Sequence, residues 1–122
     1  NFFTRSDAGT QASIQGNAIH QGALASTTLT DNTSTFTTTG IDLDMANEFG
    51  ANIKYLIIRN TARRTGTLTV SGTSSAVSFV DNFVENATTG VTFFVTTGGV
   101  VQYKTTSTGS NATFKYSIET IV

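Results

Sequence analysis

The stretch Ala112-Thr-Phe-Lys-Tyr-Ser-Ile-Glu119 alternates without a break: Phe114, Tyr116 and Ile118 fall on one side, Lys115, Ser117 and Glu119 on the other. A period of two is what a strand buried on one face requires, and no helix can bury that pattern. The same grammar runs upstream. Candidate strands lie at residues 27–30, 34–38, 53–59, 66–71, 76–80, 91–96, 100–104 and 112–119. Turn signals separate them every 8–12 residues or so, the spacing of a sandwich or barrel. The expected fold is all-β, an antiparallel β-sandwich of jelly-roll-like type with about eight strands.

Residues 53–59, Ile-Lys-Tyr-Leu-Ile-Ile-Arg, form the most apolar run and predict a central strand covered on both faces. Asn60 to Thr65 is short enough to close a hairpin onto Gly66-Thr-Leu-Thr-Val70, and Gly98-Gly99 marks a second hairpin. Asp42–Phe49 allows one short helical turn before Gly50. Phe36, Phe49, Phe79, Phe93, Phe114 and Tyr116 are the expected core rings. Residues 1–26 differ: they are polar, rich in Ala and Gly and poor in apolar bulk. They are read as an extended lead-in packing on the domain or on a neighbouring subunit, with residues 27–122 as the sandwich. A start without Met suggests a fragment or processed product.

Charged residues are only 12% of the chain, against a usual ~25%, and Thr, Ser, Asn and Gly fill the gap. Such a surface suits an extracellular β protein. The net charge of −1 argues against a nucleic-acid partner. No apolar run approaches the ~18 residues of a membrane-spanning helix, so no membrane insertion is expected. With no cysteine, there is neither a disulfide framework nor a thiolate metal site.

Candidate chemistry is sparse. His20 is the one histidine, without a cysteine or second histidine to share a metal, so a surface or packing role is expected. Asp42 and Asp44 stand two apart, on one face of an extended segment, with Asn47 and Glu48 nearby. Clustered oxygens hold calcium and paired carboxylates serve glycosidases. The plainer reading is a solvated edge with Ile41, Leu43 and Met45 inward. Asp31-Asn-Thr-Ser34 and Asp81-Asn82 read as turns. Arg59, Arg63 and Arg64 flank the first hairpin and offer forked donors to an anionic sugar, a carboxylate or a neighbouring subunit. No nucleophile elbow accompanies the scattered Ser, Asp and His, and no enzyme, metal or cofactor is expected.

The segment Tyr55-Leu-Ile-Ile-Arg-Asn-Thr-Ala-Arg-Arg-Thr-Gly-Thr-Leu-Thr-Val70 resembles the C-terminal β domain of bacteriophage tailspikes and tail fibres. Tyr103 to Ile118 is similar to the close of many phage receptor-binding proteins. The resemblance covers about Ile53 to Val122 and implies a homotrimer at the virion tail tip, following a shaft. It implies recognition of a host cell-surface polysaccharide or protein receptor. Arg63, Arg64, Tyr103, Asp42 and Asp44 are the candidate ligand-binding residues. Three other readings stay open: a monomeric carbohydrate-binding module of a secreted bacterial protein, a virion decoration domain, and a self-releasing intramolecular chaperone.

Overall fold

The computed structural model describes residues 19–21, 24–44 and 49–121. Nine strands lie among them: β1 (Ile19–Gln21), β2 (Ala25–Leu29), β3 (Thr37–Asp42), β4 (Phe49–Arg59), β5 (Ala62–Gly72), β6 (Val77–Glu85), β7 (Val91–Val95), β8 (Val100–Thr105) and β9 (Ala112–Ile121). One sheet has the order β1-β9-β4-β5-β6, with β2 also paired to β9; the other is β3-β8-β7. All pairings are antiparallel. The chain is therefore an antiparallel β-sandwich, as its alternation requires. Most of residues 1–26, with Asn47, Glu48 and Met45 and the side chains of His20 and Phe49, lies outside what is described.

Register explains the core. Ile53 stands between Leu68 and Ile118, Tyr55 between Gly66 and Tyr116, and Ile57 between Arg64 and Phe114. These positions face the second sheet, which answers with Val91, Phe93, Val95, Val101 and Tyr103. Phe93 meets Tyr55 at 5.4 Å and Phe114 at 5.2 Å between ring centroids, within the range of productive aromatic pairs. Among the expected core rings, Phe93 and Phe114 are buried, and Phe79 and Tyr116 pack half-buried against them. Phe36 departs from expectation and stands on the outer side of the small sheet.

β4 is central in pairing but is not covered on both faces by the described residues. Ile53, Tyr55 and Ile57 are buried while Leu56 and Ile58 are half-exposed and Lys54 is exposed. The outer side of this sheet carries no second layer among the described residues. β3 begins three residues later than the alternation suggested and runs on to Asp42, because Ile41 and Leu43 supply the inward positions. Its register shifts against β8 between Thr38 and Asp42. Gly40, at φ 94°, takes the left-handed conformation there, its N–H donating to Thr38 Oγ1. The helical turn expected over Asp42–Phe49 falls largely on residues that are not described; Asp42 ends β3 and Phe49 opens β4. The Gly98-Gly99 hairpin is present, closed by Thr96 N–H to Val100 O at 3.0 Å and Gly99 N–H to Thr96 O at 2.9 Å.

Gly66 sits where Tyr55 and Phe83 flank it across the sheet. A Cβ there would lie 2.6 Å from Asn82 O, 2.7 Å from Phe83 Cβ and 2.8 Å from the Tyr55 hydroxyl. One of these is backbone and two belong to packed rings, so relief needs the sheet to move. Gly66→Ala is expected to destabilise by about 1–3 kcal/mol, as overpacked cores do. A denaturant midpoint lowered at unchanged slope checks it.

Candidate functional site

Alternation separates the three arginines. Arg63 points outward from the start of β5, its guanidinium donating to Asn60 O at 2.8 Å and Ala62 O at 3.0 Å. Arg59 and Arg64 point inward, and each is 3% exposed. Arg59 reaches the end of the sandwich where three connections meet. It donates to Asp31 Oδ1 at 2.6 Å, Thr106 O at 2.6 Å, Thr89 O at 2.8 Å and Ser110 O at 3.0 Å. Asp31 in turn accepts from the N–H groups of Thr108 at 2.8 Å and Gly109 at 3.2 Å. The Thr108 amide is the largest of the influences that hold the Asp31 carboxyl below its ordinary value, and Arg59 adds to it.

Arg64 organises a second cluster between the sheets. It donates to the Tyr55 hydroxyl at 3.0 Å and Val91 O at 2.7 Å, pairs with Asp81, and lies 3.8 Å over the Phe83 ring. Tyr55 donates to Asp81 Oδ1 at 2.5 Å. Burial pushes the Tyr55 hydroxyl well above the ordinary tyrosine range, and the Asp81 carboxylate acts in the same direction. Asp81 is thus not a turn residue. It sits mid-strand in β6, turned inward to pair with a buried cation, and the strand continues to Glu85.

The five candidate ligand residues do not converge. Arg64 and Tyr103 are interior, and the Tyr103 hydroxyl accepts from Thr30 N–H at 3.0 Å. Arg63 lies exposed at the β4–β5 hairpin. Asp42 and Asp44 lie exposed at the opposite end of the sandwich, beside the β7–β8 turn. There Asp42 Oδ1 accepts from Asp44 N–H at 3.0 Å, with Asp44 itself at φ 50°, an Asx turn. Ile41 and Leu43 are inward, as the plainer reading of this segment requires. Among the described residues no group of three or more His, Cys, Asp or Glu is placed to hold a metal ion.

A different set of residues does converge. On the outer side of the three-stranded sheet, Phe94 is 41% exposed. Its ring meets Phe36 at 5.3 Å and Phe79 at 5.7 Å. Phe36 stands just before β3 and Phe94 on β7, so these two rings lie across the strands of one face, whereas Phe79 on β6 packs half-buried against the core and meets Phe94 only at the sandwich edge. The Lys104 ammonium lies 4.5 Å over the Phe36 ring. Gln102, Thr38 and Thr92 share this face by register. Apolar ring faces bordered by an amide, hydroxyls and one cation can stack on a sugar and bond its hydroxyls. The signal was present in the adjacent pair Phe93-Phe94: on a strand, one of two neighbouring rings must point outward.

No family model matches the chain, and no curated protein matches its sequence. Among solved structures, the tailspike protein of Acinetobacter phage vB_ApiP_P1 is similar at a TM-score of 0.46 and 11% sequence identity, over 98% of this chain. The chain spans 25% of that tailspike's length.

Arg59→Met is expected to cost about 1–3 kcal/mol, because it leaves the carbonyls of Thr89, Thr106 and Ser110 without their donor; equilibrium urea unfolding measures it. Asp31 gives a pH signature. Its folded value lies below the ordinary 3.8, so its contribution is complete above that pH and vanishes as pH falls through the folded value. The difference in Tm between the native chain and Asp31→Asn should therefore be constant from neutral pH to about pH 5 and close steadily on further acidification.

Proposed function

We propose that the chain is a non-enzymatic β-sandwich module of a phage tail fibre or tailspike, which trimerises and presents its ring-bearing face to a receptor on the host cell surface. The observation that carries this reading is the pair Phe36 and Phe94, with Lys104 and Gln102 beside it, left uncovered by the described residues on a sheet whose other side builds the core. The resemblance of Tyr55–Val70 and Tyr103–Ile118 to tailspike and tail-fibre domains supports the same reading. The receptor is a cell-surface polysaccharide, whose rings stack on phenylalanine while amide and hydroxyl groups bond its edges. The module works at the tail of the virion.

Trimerisation is favoured by apolar surface elsewhere. Val84 is 79% exposed, Val80 55% and Phe83 45%, all on β6. Beside them a cavity of about 480 Å3 is lined by Lys54, Thr65, Thr67, Asn82, Phe83 and Val84. β6 is an edge strand with unpaired backbone groups, and edges of this length are normally covered or charged. Contact with a neighbouring copy would cover it. Three copies of a weak sugar site then act together, and linkage raises avidity far beyond one site's affinity.

The same face would serve a monomeric carbohydrate-binding module, so mass decides between the two. Light scattering on a sizing column should give three times the chain mass of 12.9 kDa. A monomer would remove the trimeric tail-module reading and leave the carbohydrate-binding module.

A further inference from the structure

We propose that the outer face of the three-stranded sheet, at Phe36 and Phe94, takes an acidic polysaccharide, with a sugar carboxylate seated at Lys104 and a neighbouring ring stacked on Phe94. This rests on the receptor-recognition reading above and adds the chemical class of the receptor and its orientation.

The argument is one of charge placement. Lys104 is held with its ammonium 4.5 Å over the Phe36 ring, at one end of this face. No carboxylate of the described residues lies within ion-pair distance of it; the two ion pairs found are Arg59 with Asp31 and Arg64 with Asp81. A cation already positioned over an aromatic face loses little freedom on meeting an anion, which lowers the entropic cost of binding. Among the described residues the face carries one negative group, Asp42, opposite Val100 in the ladder. That is four residues along β8 from Lys104, roughly 13 Å at strand rise. The face is therefore polar in charge, cationic beside Phe36 and anionic at the far end.

A carboxylate-bearing chain matches such a face in one orientation only, with the acid group at Lys104 and a neutral sugar toward Asp42. Between them, Phe94 offers an exposed ring, Gln102 both a donor and an acceptor, and Thr38 and Thr92 their hydroxyls. A neutral polysaccharide would leave the ammonium without a partner. An isolated phosphate would leave the rings without one.

The test is isothermal titration of the full chain with oligosaccharides of three carboxylated polymers (polygalacturonate, alginate and polysialate) and of two neutral ones (dextran and galactan). Binding is expected to at least one carboxylated set, at least tenfold tighter than to either neutral set, and weakened by added salt. Lys104→Gln should lose about tenfold for the acidic ligand and nothing for neutral ones. Phe94→Ala should weaken binding to both kinds, while Arg63→Gln, on the other sheet, should change neither. Circular dichroism confirms that each variant is folded. If neutral oligosaccharides bind as well as acidic ones, or Lys104→Gln binds like the native chain, the acidic class is wrong. Binding to none of the three acidic polymers overturns it equally. Adsorption of the native chain to host cells, measured separately, keeps these failures distinct: cell binding that survives Phe94→Ala removes the face itself as the receptor site.

Discussion

The guanidinium of Arg59 is the point through which one end of this sandwich is held. A β-sandwich keeps its strands in order by ladder hydrogen bonds, but its connections are irregular and their buried carbonyls need partners. Here the connections after β2, β6 and β8 each bring a group to the same cation. Thr89, Thr106 and Ser110 offer carbonyls and Asp31 a carboxylate. A lysine would supply one compact charge in the same place; the planar fork reaches four oxygens in different directions. The pair is costly to desolvate, and its value lies in specifying where the loops sit more than in net stability.

Arg64 repeats the solution between the sheets, and together the two explain a feature of composition. A chain with few charges on its surface still spends two of its arginines inside. Both inner cations have carboxylate partners, Asp31 and Asp81, drawn from segments that read as turns in the sequence. Among the described residues the interior therefore carries no unbalanced charge, and hydroxyl and amide groups do most of the solvating outside.

How much of this was legible depends on whether a residue's role is set locally. The strands from Ile53 to Val70 and from Ala112 to Glu119 could be read directly, because alternation is a local pattern. So could the inward turn of Ile41 and Leu43. Arg64 could have been placed inside by parity with Leu68 and Val70, two and three positions of the same period further on. Asp81 could not: Asp-Asn favours turns, and only the cation arriving from β5 makes a mid-strand carboxylate acceptable. Tyr103, a candidate ligand ring by its sequence, is inward because Val101 and Thr105 are, again a matter of parity. The outward Phe94 was half-visible, in the Phe93-Phe94 pair. Its partner Phe36 lies far off in the chain and reaches Phe94 only because β8 pairs with both β3 and β7, while Phe79 comes from the other sheet and meets Phe94 only where the two sheets close.

The position of β9 has a consequence for the making of the protein. It lies inside the larger sheet, between β4 on one side and β1 and β2 on the other, yet it follows all of them in the chain. Ribosomes deliver the partners first and the strand that joins them afterwards. Until it emerges, the apolar side of β4 has a neighbour on one edge only, and β1 and β2 have no ladder at all. Contacts so distant in sequence close slowly, so the nascent chain passes through an interval with an open, adhesive edge. A surface poor in charge repels other nascent chains weakly during that interval. Slowed translation before β9 should therefore favour aggregation more than a pause after it.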